Sequence, residues 1–325
     1  MAKVTVLMAV YNASAFLRES LDSLLRQTYR DFQAICIDDA STDESLSILQ
    51  EYERLDHRIK VIHLDRNGGQ AHARNEGLKI ADGELICMLD ADDWLADDAL
   101  ELSVECFSND ETDVVLFDVS IDHPDRSDLY SMPSFVTLTG AEAFRLSLTW
   151  QLHGVYMVRS AIHHQYPYDE TCKSFSDDNT TRLHYLSARQ VARCHGVYHY
   201  RQNPGSTSQS VSVRRFDFLR ANESQKQSLL ELQMPVEIMK VYEQQRWLNL
   251  IGVYMFYYVH GKELSAEERH YGLSELKRVW KTIDRTLIDH KGNMKLGYYP
   301  MPTWTLFRVE EWIYFTLRGL LGKNY

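Results

Sequence analysis

The chain has 325 residues, 44% hydrophobic and 25% charged, and a formal net charge of -11. That length admits one large domain or two, and the acidic balance argues against a nucleic-acid binder, which carries a basic surplus to meet phosphates. Five scattered cysteines, Cys36, Cys87, Cys106, Cys172 and Cys194, form no close metal-type pair. Cys36 and Cys87 lie in apolar strand runs, where a buried free thiol is the default, and the odd count points to a reducing, cytoplasmic compartment. Met1-Ala2-Lys3 leads straight into a strand, so no signal peptide is expected. The most apolar late stretch, Trp247 to Val259, is too short to span a bilayer.

Val4 to Val10 reads as a strand. Tyr11-Asn12-Ala13-Ser14 is a polar break that caps a helix from Ala15 to Leu25, with Phe16, Leu17, Leu21, Leu24 and Leu25 on one face. Gln33 to Ile37 is a second strand, ending in Asp38-Asp39. Ser41-Thr42-Asp43-Glu44 has capping-box spacing and opens a helix to Leu55. Arg58 to Leu64 is a third strand, and Asn67-Gly68-Gly69 turns the chain into a helix reaching Ala81. In Glu84 to Trp94 an apolar run ends abruptly in three carboxylates, Asp90, Asp92 and Asp93. The run is short and follows Gly83, so it reads as a strand buried on both faces. A helix from Asp97 to Phe107 and a strand from Asp113 to Val119 come next.

This alternation predicts an α/β fold, a mostly parallel sheet between helix layers joined by right-handed crossovers. It brings Ala9 to Asn12, Asp38-Asp39, Asn67 to Gly69 and Asp90 to Asp93 to one sheet edge, where open α/β sheets bind ligands. Three carboxylates there repel one another unless a cation sits among them. A hard divalent ion such as Mg2+ takes one or two carboxylates together with water and phosphate oxygens. The competing reading is a helix start capped by Asp93 or Asp97.

Beyond Val119 the pattern loosens. Asp122 to Ser131 is a polar loop, and Thr139, with Glu142 three residues on, caps a helix to Leu148. His153 to Val158 is a candidate strand, Tyr166 to Asp178 has loop composition, and Val191 to Arg201 alternates enough for one or two strands. From Val213 the pattern is helical, broken near Pro235, Gly261 and Gly292 to Pro302, which places a boundary near residue 210. The tail from Trp304 to Tyr325 mixes apolar residues with Arg308, Arg318 and Lys323. It fits an interfacial amphipathic helix, or a helix docked on its own domain or on a second subunit; docking is the preferred expectation.

Five blocks in order resemble the inverting glycosyltransferases of family 2, whose nucleotide-binding fold is called GT-A. They are Val6-Leu7-Met8-Ala9-Val10-Tyr11-Asn12, Leu24-Leu25-Arg26-Gln27-Thr28-Tyr29, Ile37-Asp38-Asp39-Ala40-Ser41-Thr42-Asp43, Asn67-Gly68-Gly69 with Ala73-Arg74-Asn75-Glu76-Gly77-Leu78, and Leu89-Asp90-Ala91-Asp92-Asp93-Trp94. The likeness is close over residues 3 to 120 and looser to about 210. It implies a glycosyltransferase domain over 1–210, with a nucleotide-sugar half (1–120) and an acceptor half (121–210), followed by a helical region over 211–325.

The resemblance further implies a metal-dependent, inverting transfer of a sugar from a nucleotide-sugar, a UDP-sugar by preference, to a glycan or lipid-linked glycan acceptor. The family's Asp-x-Asp motif falls on Asp90-Ala91-Asp92. Asp92 then helps hold Mn2+ or Mg2+ against the donor diphosphate, while Asp90, with Ala91, lies near the donor ribose or sugar. Asp93 is either a water-mediated metal ligand or part of a helix start. Asp39 matches the acceptor of a nucleobase N–H, with Asp38 second to it and a turn cap as the alternative for both. Ala9, Tyr11 and Asn12 match the first base-site loop; Tyr11 lies against the base or merely packs. Arg74 meets the diphosphate or ribose, or pairs with a surface acid. Ser174-Phe175-Ser176-Asp177-Asp178-Asn179 resembles the family's Glu-Asp pair, with Asp177 where the Glu is usual. Asp178 is the candidate catalytic base and Asp177 its runner-up. His153 is an acceptor contact or a structural residue. Arg201, in Tyr198-His199-Tyr200-Arg201 and ahead of Ser206-Thr207-Ser208, resembles a residue near the diphosphate.

Three other classes compete. A sugar-nucleotidyltransferase would begin with a Gly-rich basic loop, and residues 9 to 15 hold no Gly, Lys or Arg. A catalytically idle nucleotide-sugar-binding module would have lost one of the two acidic motifs. A phosphoacceptor switch domain fails on length and on the Asp90–Asp93 pattern.

Overall fold

The computed structural model describes residues 4–172, 175, 177–202, 211–289 and 294–323. The chain forms two compact units, Met1–Lys173 with Thr180–Ser206, and Ser174–Asn179 with Thr207–Tyr325. Of the family-like motifs, Ser174, Ser176 and Ser206-Thr207-Ser208 lie outside the described residues.

The elements run β1 (Val4–Val10), α1 (Leu17–Arg26), β2 (Phe32–Asp38), α2 (Ser45–Leu55), β3 (Ile59–His63), α3 (Gln70–Leu78), β4 (Leu85–Met88), β5 (Trp94–Leu95), α4 (Ala99–Cys106), β6 (Thr112–Asp122), β7 (Ser127–Leu129), β8 (Thr137–Thr139), α5 (Gly140–Leu148), β9 (Tyr156–Arg159), α6 (Ser160–Gln165), α7 (Asp177–Ser187) and β10 (Gln190–Arg201). The sheet order is β3-β2-β1-β4-β9-β6-β10-β5. β1 is parallel to β2 and to β4, with Val4 opposite Phe32 and Leu85. β2 and β3 are parallel, as are β6 and β10. β9 runs antiparallel between β4 and β6, entering from their carboxyl ends. The expected, mostly parallel sheet is therefore present, interrupted by the reversed β9, which the alternation did not reveal, and joined by the short β5, β7 and β8, which pair antiparallel with β10, β6 and β10.

Successive side chains of a strand point to opposite faces, and both faces are covered here. Val6, Met8, Ala34, Cys36 and Cys87 pack against Leu17, Leu21, Leu24, Leu49 and Leu100. Leu7, Ile35, Ile37 and Ile86 pack on the other side against Ala73, Leu78, Ala143 and Tyr185. Two-sided burial explains why β1, β2 and β4 read as unbroken apolar runs.

Two helix starts instruct by contrast. The capping box expected at Thr139 and Glu142 forms. The one expected at Ser41 does not, because the Ser41 hydroxyl instead accepts the Asn12 N–H at 3.0 Å. Asp43 takes over, accepting the N–H of Ser45 at 2.9 Å and of Ser14 at 3.0 Å, and α2 begins at Ser45. The loops after β1 and β2 are thereby stitched together.

In the second unit α8 (Asp217–Glu231), α9 (Val236–His260), α10 (Ala266–Thr282) and α11 (Trp304–Leu320) surround a core that includes Trp247, Leu250, Tyr254, Leu276, Phe307 and Phe315. Glu243, fully buried, is held by Arg246 at 2.9 Å and Lys226 at 3.0 Å, as a charge taken out of water requires. Phe307 and Phe315 place α11 against its own unit, the docking expected of the tail. Among the described residues no helix is long and apolar enough to cross a membrane.

Candidate active site

The sheet delivers the acidic loop to its carboxyl edge. The Leu89 N–H still donates to the Leu7 carbonyl at 3.1 Å, so Asp90 emerges just past the end of β4, beside the last residues of β1. Two side chains of α3 meet its Oδ1: Arg74 Nη2 at 2.5 Å and Gln70 Nε2 at 3.0 Å. Arg74 is buried, and its guanidinium lies over the Tyr168 ring at 5.2 Å. The acid that Arg74 pairs with is thus a member of the site.

The end of β10 clamps the same loop. The Tyr198 hydroxyl accepts the Asp90 N–H at 3.1 Å and donates to Asp93 Oδ2 at 2.8 Å. Arg201 donates its backbone N–H to Asp93 Oδ1 at 2.8 Å and its Nε to the Asp92 carbonyl at 2.8 Å, while Nη2 reaches Glu19 at 2.5 Å. The Arg201 guanidinium sits 4.6 Å from the centre of the Trp94 ring, which stacks on His199 at 4.8 Å. β5 and β10 pair at these residues, His199 opposite Trp94.

Charge is crowded here. Asp93, 1% exposed, is pushed up to about 8 by burial and then by the Asp90 carboxylate. Asp92 is raised by the same two causes in the same order. Burial, with Asp90 and Asp93 behind it, lifts the Tyr198 phenol well above its ordinary value, so it stays a hydroxyl. Both Asp93 oxygens are engaged by protein donors, Tyr198 Oη and the Arg201 N–H. Asp92 is partly exposed, and among the described residues no donor from another residue meets its carboxylate. No set of three or more His, Cys, Asp or Glu side chains among the described residues stands ready to enclose a metal by itself.

At the end of β2, Asp39 is buried and accepts the N–H of Gly68 at 2.7 Å and of Gly69 at 2.8 Å. Gly69 has φ +91°, which a side chain would strain. Asp38 turns inward, fully buried, and bonds His63 Nδ1 at 2.8 Å. Asn12, at φ +50°, accepts the Thr42 N–H at 2.8 Å. Tyr11 beside it is 52% exposed and so is not packed away, and Ala9 is partly exposed at the end of β1. His153 is buried, its Nδ1 accepting the Val155 N–H at 3.2 Å, and burial drives it down to about 4. It is a structural histidine.

Asp177 and Asp178 are the first two residues of α7, both partly exposed. The helix therefore takes in the last two residues of the stretch, Tyr166 to Asp178, read as loop. They belong to the second unit, where the Asn179 side chain donates to the Ala221 carbonyl at 2.8 Å. Sequence reasoning gave no role to Tyr198, Gln70 or Glu19, although Tyr198 stands in the motif that carries Arg201.

Carboxylates gathered at the carboxyl edge of parallel strands place the protein among open α/β sheets that bind their ligand at that edge. Residues 5–164 match the model of Glycosyl transferase family 2, and this part of the chain belongs to that family. The chain is 34% identical over 113 residues to glycosyltransferase GlyG of Streptococcus pneumoniae serotype 4, covering 35% of this chain and 38% of that protein. It is 38% identical over 117 residues to the poly(ribitol-phosphate) beta-glucosyltransferase of Bacillus spizizenii, covering 35% of this chain and 18% of that protein. The chain thus spans well under half the length of these curated relatives. Among solved structures, S. aureus TarS 1-349 in complex with UDP-GlcNAc shares the fold, with a TM-score of 0.77 and 21% identity over 99% of this chain and 92% of that one.

Proposed function

We propose that the protein is a metal-dependent, inverting glycosyltransferase that moves a sugar from a nucleotide-sugar, preferably a UDP-sugar, to an acceptor hydroxyl of a glycan or lipid-linked glycan. The reading rests on the acidic loop at the carboxyl edge of β4, held between Arg74 on one side and Tyr198 and Arg201 on the other. UDP-GlcNAc in the TarS complex supports the donor class. The poly(ribitol-phosphate) glucosyltransferase, by its name, supports a surface glycan as acceptor.

The residues fit a hard divalent cation, Mn2+ or Mg2+. Asp92 offers an unengaged carboxylate beside Asp90, and their mutual repulsion is relieved by positive charge. When bound, such an ion neutralises the donor diphosphate and stabilises its departure. Asp93 holds the loop through Tyr198 and Arg201 instead of ligating. Asp90, fixed by Arg74, and Ala91 lie at the donor ribose or sugar, and Arg201 lies near the diphosphate. Ala9, Tyr11 and Asn12 border the base. Asp39 has two of its roughly four acceptor positions filled and takes the base N–H with the remainder. Asp178 accepts the proton of the attacking hydroxyl, with Asp177 next to it as the alternative.

The test is turnover of nucleotide-sugars with Mn2+ or Mg2+ by the protein and by Asp178→Asn. The variant is expected to keep nucleotide binding and lose about 10²-fold or more in turnover, the scale of general-base loss. Near-normal turnover in both Asp178→Asn and Asp177→Asn would show the mechanism to be wrong.

A further inference from the structure

Helix α11 has two unlike faces. Phe307, Glu310, Glu311 and Phe315 point into the core of the second unit. The opposite side exposes Leu306, Val309, Trp312, Ile313, Leu317 and Leu320, with Trp312 59% and Leu320 80% accessible. Steps of three and four residues align these side chains as one stripe.

The charges are sorted with equal sharpness. Glu310 and Glu311 are the only acids of the helix, and both are buried. Glu311 is fully buried and pushed up to about 9 by burial and then by Glu310, so it is neutral at physiological pH. Arg308 stands exposed beside the stripe, and exposed Lys323 follows the helix. In a chain with 46 acids against 35 bases, the exposed charge that α11 itself sets beside its apolar stripe is thus positive.

We propose that this outward face of α11 docks on an anionic lipid bilayer, lying in the interfacial plane with the stripe inserted. Charge decides between the candidate occupants. A two-fold contact between copies would set Arg308 against the same face of the partner, which offers no acid in return. An anionic headgroup layer supplies the missing charge, and tryptophan with leucines at that depth is the usual composition of interfacial helices. At about 1.5 Å per residue the 17-residue helix gives a contact roughly 25 Å long.

The experiment is flotation of the full chain with vesicles of phosphatidylcholine alone and of phosphatidylcholine mixed with phosphatidylglycerol. Binding is expected to the mixed vesicles, weaker to the neutral ones and weakened by salt. Trp312→Ser with Leu317→Ser should lower the partition about 100-fold, roughly tenfold per side chain. Arg308→Gln, which leaves the stripe intact, should lower it about fivefold; it keeps the test valid if the double variant melts early. Leu129→Ser, at an exposed leucine of β7, should change nothing. Failure to bind mixed vesicles, or equal binding by all variants, overturns the proposal. So does a dimer in sedimentation that only the Trp312 and Leu317 substitutions dissociate, which would make the face a contact between copies. Turnover of a water-soluble acceptor should be the same in every variant, so this result and that of the transfer assay are read separately.

Discussion

Tyr198→Phe removes one oxygen from the centre of the acidic loop. That oxygen accepts the Asp90 N–H and donates to Asp93 Oδ2, and both Tyr198 and Asp93 are 1% exposed. A buried carboxyl oxygen of Asp93 and the part-buried N–H of Asp90 each lose a partner. At roughly 1–3 kcal/mol for a buried unsatisfied group and about 1 kcal/mol for the part-buried N–H, the first unit should lose about 2–4 kcal/mol. For a unit of about 200 residues, each kcal/mol is worth roughly 2–4 °C, so its melting midpoint should fall by about 5–15 °C. Calorimetry reads the shift directly. Titration of UDP with and without Mn2+ should show that the metal-dependent part of the affinity falls more than the metal-free part, because the loop carrying Asp92 has lost its brace. A midpoint within 2 °C of the parent, on the same scale, would refute the view that Tyr198 holds the loop.

Three further outcomes are expected. Arg74→Met leaves Asp90 without its buried cation and should cost about 3 kcal/mol in urea unfolding, and Arg74→Lys should not restore it because the forked geometry is lost. Glu311, raised from 4.5 to about 9, binds its proton more tightly in the folded state. Its contribution to stability is complete below its unfolded value and is lost as pH rises toward the folded one; Glu311→Gln should therefore match the parent's melting temperature at about pH 4 and exceed it by several degrees at about pH 9, the two ends of that shift. Gly69→Ala should destabilise the first unit by more than about 1 kcal/mol in the same unfolding assay, since φ +91° is closed to alanine and the Gly69 N–H holds Asp39.

Much of this sheet edge was legible because its signals are local. β1, β2 and β4 are buried on both faces and so are apolar throughout, and the change from Leu89 to Asp90 marks where the chain leaves the sheet. Strand–helix alternation then brings the loops to one edge. What escaped depends on distant partners. β9 reads like any short apolar run, and nothing local shows that it enters in reverse between β4 and β6. Ser41 has capping-box spacing, yet Asn12, 29 positions away, competes for its hydroxyl. Tyr198 meets Asp93 across 105 positions and Asp90 across 108. Asp93 resembled a ligand because its sequence neighbours are acids, and only the arrival of β10 gives its oxygens other work.

The most direct test is titration of UDP into the protein and into Asp92→Asn, each with Mn2+ and with chelator. Asp92 is the one carboxylate of the loop that is partly exposed and unengaged by another residue, so the parent should bind UDP at least tenfold more tightly with Mn2+, and Asp92→Asn should bind weakly and equally in both conditions, the sign of a lost cation anchor. Mn2+-dependent UDP binding of parental strength in Asp92→Asn would contradict the assignment of this edge as the metal-bridged donor site.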